Sequence, residues 1–173
     1  MIIEPFRHNA WATLRLLEFC RELDPAILQA YAPGSFGSIG QILARMVGAE
    51  EALAALVEGV PRHGYPPRYS SLDDLQERAR RLRDRWERIL EVEHHPERLV
   101  EGDRGGPERR LIRVGTIVAQ AVHVGNHHRA QICMILASLD IEPPVLDAWS
   151  YGAFASPGCE MSLTVIASSS CSL

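Results

Sequence analysis

The sequence predicts an all-α fold, a four-helix bundle, on three observations. Four segments of about 18–24 residues repeat apolar side chains at spacings of three and four, the signature of helices with one buried face. Clusters of Gly, Pro and polar residues separate them. The 173 residues suit one domain, here residues 1–152, with a poorly specified C-terminal tail over residues 153–173.

The first helix is expected from Phe6 to Leu23, where Phe6, Ala10, Leu14, Leu17 and Cys20 share a face. Asp24-Pro25 ends it, because proline disfavours helix in the residue before it. A turn-rich stretch, Ala32 to Gly37, leads to a second helix reaching Val57. Its start is marked by Ser38 and Gln41, spaced as a capping box, and its end by Gly59 and Pro61. The third helix has Ser71 and Asp74 as its cap. Leu72, Leu75, Ala79, Leu82, Trp86 and Ile89 form one buried stripe opposite a face dense in Arg, Glu and Asp, and the helix stops before Pro96. Glu101 to Gly106 is a polar loop, and Glu108 to Val114 a short extended stretch. The fourth helix spans Thr116 to Leu139, with Ile117, Ala121, Val124, His128, Ile135 and Leu139 along one line. Being apolar around most of its circumference, it is expected to be the most buried of the four. Pro143-Pro144 closes the domain, and periodicity is lost after Tyr151. Spacing alone leaves up-down-up-down and crossover connections open.

Composition narrows the function. Hydrophobic residues make up 46% and charged residues 23%, as in ordinary globular proteins. No apolar run approaches the ~20 residues of a membrane span, and Met1-Ile2-Ile3-Glu4-Pro5 does not read as a signal peptide. The cytoplasm is therefore the expected location. A net charge of −4 argues against a nucleic-acid partner, which needs a basic face. The cysteines Cys20, Cys133, Cys159 and Cys171 lack metal-type spacing. All 18 basic residues are Arg, a usage that fits a GC-rich coding sequence.

Any chemistry is expected around His123, His127 and His128. His123 and His127, four apart, lie about 40° apart around the helix and point to one face, so one divalent metal ion such as zinc or nickel could bridge them, given a third ligand from another helix. His128 lies in line with Val124 on the apolar stripe, where a histidine is more often hydrogen-bonded in the core. Glu50 qualifies as a general base only if it faces inward. Trp11, Trp149 and Tyr151 could line a pocket mouth, and His94-His95 could meet the C-terminal dipole of the third helix.

The stretch Val122-His123-Val124-Gly125-Asn126-His127-His128-Arg129-Ala130-Gln131 resembles the last helix of the DinB-like bundles. His8-Asn9-Ala10-Trp11-Ala12 is similar to the family's opening helix, Leu43-Ala44-Arg45-Met46-Val47-Gly48-Ala49-Glu50 to its second, and Ile141 to Gly152 to its closing segment. The resemblance implies a left-handed crossover bundle, commonly a homodimer, with a divalent-metal site of three histidines serving thiol-dependent transferases or isomerases. Carried over residue by residue, the metal positions fall on His128, Val124 and Arg45, of which His128 alone can ligate. A degenerate metal site follows, in which Arg45 offers an anion site for a small-molecule or anionic ligand or the chain serves as an interaction module. Two alternatives stand beside it. One is an active bacillithiol- or mycothiol-type transferase with His123, His127, Glu50 or His8 as substitute ligands; the other is a dimeric scaffold without ligand.

Overall fold

The helices start and stop where their end chemistry dictates, in a computed structural model that describes residues 3–61, 69–92, 95–103 and 109–156. Helix α1 (Glu4–Arg21) has Pro5 in its first turn, where the missing N–H costs nothing. Asp24 then caps a 3-10 turn, Pro25–Gln29, by accepting from the Ala26 N–H at 2.8 Å. Helix α2 (Ile39–Glu58) opens on the predicted capping box: the Ser38 hydroxyl accepts from Gln41 N, and the Gln41 side chain accepts from Ser38 N. It ends on Gly59 at φ +70°, a left-handed conformation that glycine adopts without a Cβ clash. Helix α3 (Leu72–Val92) begins with Ser71 accepting from Asp74 N at 3.1 Å. Helix α4 (Val114–Ala137) and a short α5 (Ala148–Ala155, capped by Asp147) complete the set.

Helix α1 packs beside α3 and α4, and α2 beside the same two, so α1 and α2 face each other across the bundle diagonal. Phe6 stacks on Trp86 while Arg21 pairs with Asp73, so α1 and α3 run antiparallel. Arg78 binds Glu51 and Arg85 binds Glu58, one heptad further along both helices, so α2 and α3 run parallel. Each of these half-exposed pairs is worth less than about 1 kcal/mol; they set register more than stability. Phe6 shares a cluster with Ile117 and Ala121, and Leu16 shares another with Ile132 and Ile135, so α4 runs parallel to α1. The chain runs up, down, down, up, with α1 to α2 and α3 to α4 each spanning a diagonal.

The core is divided into two apolar clusters. One joins Leu16, Leu17 and Cys20 to Ile39, Leu43, Leu75, Ile132 and Ile135. The other joins Phe6, Ala54, Leu82, Trp86, Ile117 and Ala121. Between them on α1, α2 and α4 lie Asn9, Thr13, Glu50 and Arg129, all buried. The bundle has a polar waist.

Several expectations change. The segment between α3 and α4 is an antiparallel hairpin, β1 (Leu99–Asp103) with β2 (Arg109–Arg113), in which Val100 pairs with Ile112 over the second cluster. Glu101 thus lies in a strand rather than a loop. Five-residue strands with so many charges give little periodic signal. The expected line down α4 holds at Ile117, Ala121 and Ile135, which are buried, but not in its middle or at its end. Val124 and His128 are half-buried and Leu139 is exposed, and the buried face passes through Gly125, Arg129 and Ile132 instead. The most buried helix is α2, with twelve buried residues of twenty against nine of twenty-four in α4, because α2 is the one flanked by the hairpin and the 3-10 turn as well as by two helices. Phe154 is helical, within α5. Residues from Pro157 onward and His94 lie outside the described residues, and His95 follows the end of α3.

Candidate functional site

The polar waist is built around Arg129. Its Nη1 donates to Asn9 Oδ1 at 2.9 Å, to Thr13 Oγ1 at 2.9 Å and to the Asn9 carbonyl at 3.2 Å, and its Nη2 donates to Asn126 Oδ1 at 2.6 Å. Asn9 Nδ2 in turn donates to Glu50 Oε1 at 3.0 Å. One amide on α1 thus joins a carboxylate on α2, across the bundle diagonal, to a guanidinium on the neighbouring α4. Gly125 makes room for it: a Cβ there would collide with Asn9 Oδ1. Burial pushes the Glu50 carboxyl up to about 7, against the pull of the Asn9 hydrogen bond and the Arg129 charge. Burial likewise brings Arg129 down to about 10, with the Glu50 charge opposing. Every partner in this chain of bonds is another protein group, so it holds helices together rather than presenting free chemistry.

One residue away, the environment reverses. His128 is half-buried and its Nδ1 lies 2.9 Å from the Val124 carbonyl, which can only accept; Nδ1 therefore carries the proton and Nε2 keeps a lone pair. Burial lowers the pKa of His128, aided by the charges of His127 and Arg45, so the ring is neutral near pH 7. Phe36 packs on His127 and His128 at centroid distances of 5.6 and 6.0 Å. His123 and His127 are exposed and stack on each other at 6.2 Å, 22° from parallel. Arg45 is exposed on α2 and forms no ion pair among the described residues. The structure thus brings His127 and His128 together with Phe36, with His123 adjoining and Arg45 near enough for its charge to bear on His128. The buried arginine of the bundle is Arg129, not Arg45.

The donor set does not fit a three-ligand metal centre. The guanidinium of Arg45 and the isopropyl group of Val124 cannot ligate, and among the described residues no three His, Cys, Asp or Glu side chains come together to hold an ion. Neither substitute ligand completes a three-donor group among the described residues: Glu50 Oε1 is held by Asn9, and His8 Nε2 lies 2.8 Å from the Leu146 carbonyl. Glu50 does face inward, as a general base would require, and is not among the residues that line the groove between α1, α3 and α5.

A groove of about 810 Å³ runs between α1, α3 and α5, with Trp11, Tyr151 and Phe154 on one side and Arg80 and Arg83 on the other. Trp11 and Tyr151 line it and also pack against each other, whereas Trp149 is 89% exposed and is not part of the lining. Sequence reading missed the polar waist. Its signal was available: Asn9 and Thr13, Glu50, and Arg129 each interrupt an apolar helical stripe on the core side.

Sequence and structure comparisons agree with this architecture. A family model described as the DinB family matches residues 2–158. The fold is similar to the crystal structure of a DinB-like protein from Bacillus cereus ATCC 10987, with a TM-score of 0.61 and 17% identity over 80% of this chain and 91% of that one. No curated protein matches the sequence. No helix among the described residues is long and apolar enough to cross a membrane.

Proposed function

The chain belongs to the DinB family, and from that premise we propose that it is a small-molecule-binding member that holds an anionic ligand at the Arg45 patch. The observation that carries this reading is Arg45 itself: an exposed guanidinium without an acidic partner among the described residues, near enough to His128 for its charge to bear on that ring. A guanidinium offers a planar fork that matches a carboxylate or phosphate with two parallel hydrogen bonds. His128, neutral and with Nε2 free to accept, favours a ligand that also carries a hydroxyl, such as a hydroxycarboxylate or monohydrogen phosphate. Phe36, 49% exposed, supplies an apolar wall. Polar groups converging beside one aromatic surface are the usual means of fixing a small ligand's orientation.

The thiol-transferase alternative has less support, because the donor set lacks three ligands, and the reading as a bare scaffold leaves Arg45 unexplained. Isothermal titration with inorganic phosphate and with lactate tests the proposal. Binding of either should weaken at least tenfold in Arg45→Ala and several-fold in His128→Ala. Equal affinity in wild type and Arg45→Ala would sink it.

A further inference from the structure

We infer that His123 and His127 form a two-nitrogen chelate for a divalent transition-metal ion of the copper, nickel or zinc type, on the outer face of α4 and separate from the positions 45, 124 and 128. Residues four apart on a helix have Cβ atoms about 5–6 Å apart. The two imidazoles already lie beside each other, their centroids 6.2 Å apart and their planes 22° from parallel. A shared ion sits about 2.0–2.1 Å from each nitrogen, a distance that side-chain rotation reaches without backbone movement because both residues are exposed.

Nothing structural accounts for the pair. His123 makes no hydrogen bond among the described residues, and His127 contacts only the Gln131 amide, at 3.2 Å, and the rings of Phe36, His123 and His128. Gln131 is the one group that must yield for His127 to ligate. His128 cannot join as a third ligand in this arrangement: its ring stands at 84° to that of His127, and no three-donor group forms. Water fills the remaining positions, and imidazole-rich sites with open positions suit Cu²⁺ and Ni²⁺. Affinity should follow Cu²⁺ above Ni²⁺ and Zn²⁺. The site shares His127 with the patch beside Arg45 but needs neither Arg45 nor His128 as a ligand, so the Arg45→Ala and His128→Ala variants separate the two readings.

The test is titration of untagged protein with Cu²⁺ and Ni²⁺ chlorides in phosphate-free buffer, with electron paramagnetic resonance of the copper form to count nitrogen ligands. Wild type should bind one ion per chain with two equatorial nitrogens. His123→Ala and His127→Ala should each lose at least tenfold in affinity, while His128→Ala and Arg45→Ala stay within twofold. Both histidines are exposed, so melting temperatures of the variants should match wild type and exclude misfolding. Retention of the two-nitrogen signal in His123→Ala or His127→Ala would overturn the inference, as would absence of a one-equivalent site in wild type. Loss of the site in His128→Ala would also overturn it, by placing the ion at the family position.

Discussion

Arg129 and Arg45 are the same residue type in two opposite settings. Arg129 is buried at the waist of the bundle, and four protein oxygens take up its hydrogen bonds. Arg45 stands at the surface with no acidic group to meet it among the described residues. A buried charge must be paired and hydrogen-bonded or the fold suffers. An exposed one is solvated by water and, where no carboxylate meets it, is available to a ligand. The neighbours on α4 repeat the contrast, with Arg129 inside and His127 outside, two residues apart. Satisfied polar groups in this molecule are scaffold; unsatisfied ones mark where it can bind.

The comparison can be broken most severely from the inside. Arg129→Met removes one partner of a buried network and leaves Glu50 and Asn9 facing each other alone. Chemical denaturation should show a loss of about 3–5 kcal/mol; a loss below about 1 kcal/mol would mean the waist is not structural. Glu50→Gln sharpens the same point through pH. The Glu50 carboxyl is raised to about 7 in the folded state from an ordinary value of 4.5, so protonation favours the folded form. Its contribution is full below pH 4.5 and is lost as the pH rises through 7. Relative to Glu50→Gln, wild type should therefore lose up to about 3 kcal/mol between pH 4.5 and pH 7.5. Parallel stability–pH profiles would show that Glu50 does not titrate in this range.

Gly125→Ala tests whether the waist tolerates crowding. Alanine is favoured over glycine in a helix by about 1 kcal/mol, but the added methyl group would collide with Asn9 Oδ1 and come within 2.9 Å of Arg129 Nη1. Overpacking costs about 1–3 kcal/mol, so thermal melts should show net destabilisation despite the helix preference. At the other end of the scale, Arg45→Ala should change stability by less than about 0.5 kcal/mol, as for surface residues generally.

Much of this fold is legible in the sequence because its signals are local. The Ser38–Gln41 capping box and the Leu72–Ile89 stripe each need only one helix to be read, and both form as expected. What sequence hides is pairing across the bundle. Asn9, Glu50 and Arg129 are 41 and 79 residues apart along the chain, and nothing in any one helix says that they meet. On α4 the apolar residues mark a stripe through Val124 and His128. The true buried line passes instead through Gly125, which has no side chain to count, and Arg129, which counts against burial. The hairpin is half visible, since β2 has a recognisable extended run while β1, of the same length, ends in Glu, Gly and Asp. At the surface patch the residue types were legible, but the approach of Phe36 from the α1–α2 connection was not.

The central claim, that the interior waist is scaffold while the Arg45 patch binds, is tested most directly by the rise in melting temperature that saturating phosphate produces. A ligand that binds only the folded state stabilises it by mass action, so the rise reports binding whatever the starting stability. Wild type and Glu50→Gln should show the same rise, and Arg45→Ala none. A rise that survives in Arg45→Ala but disappears in Glu50→Gln would contradict the account and move the binding site into the waist.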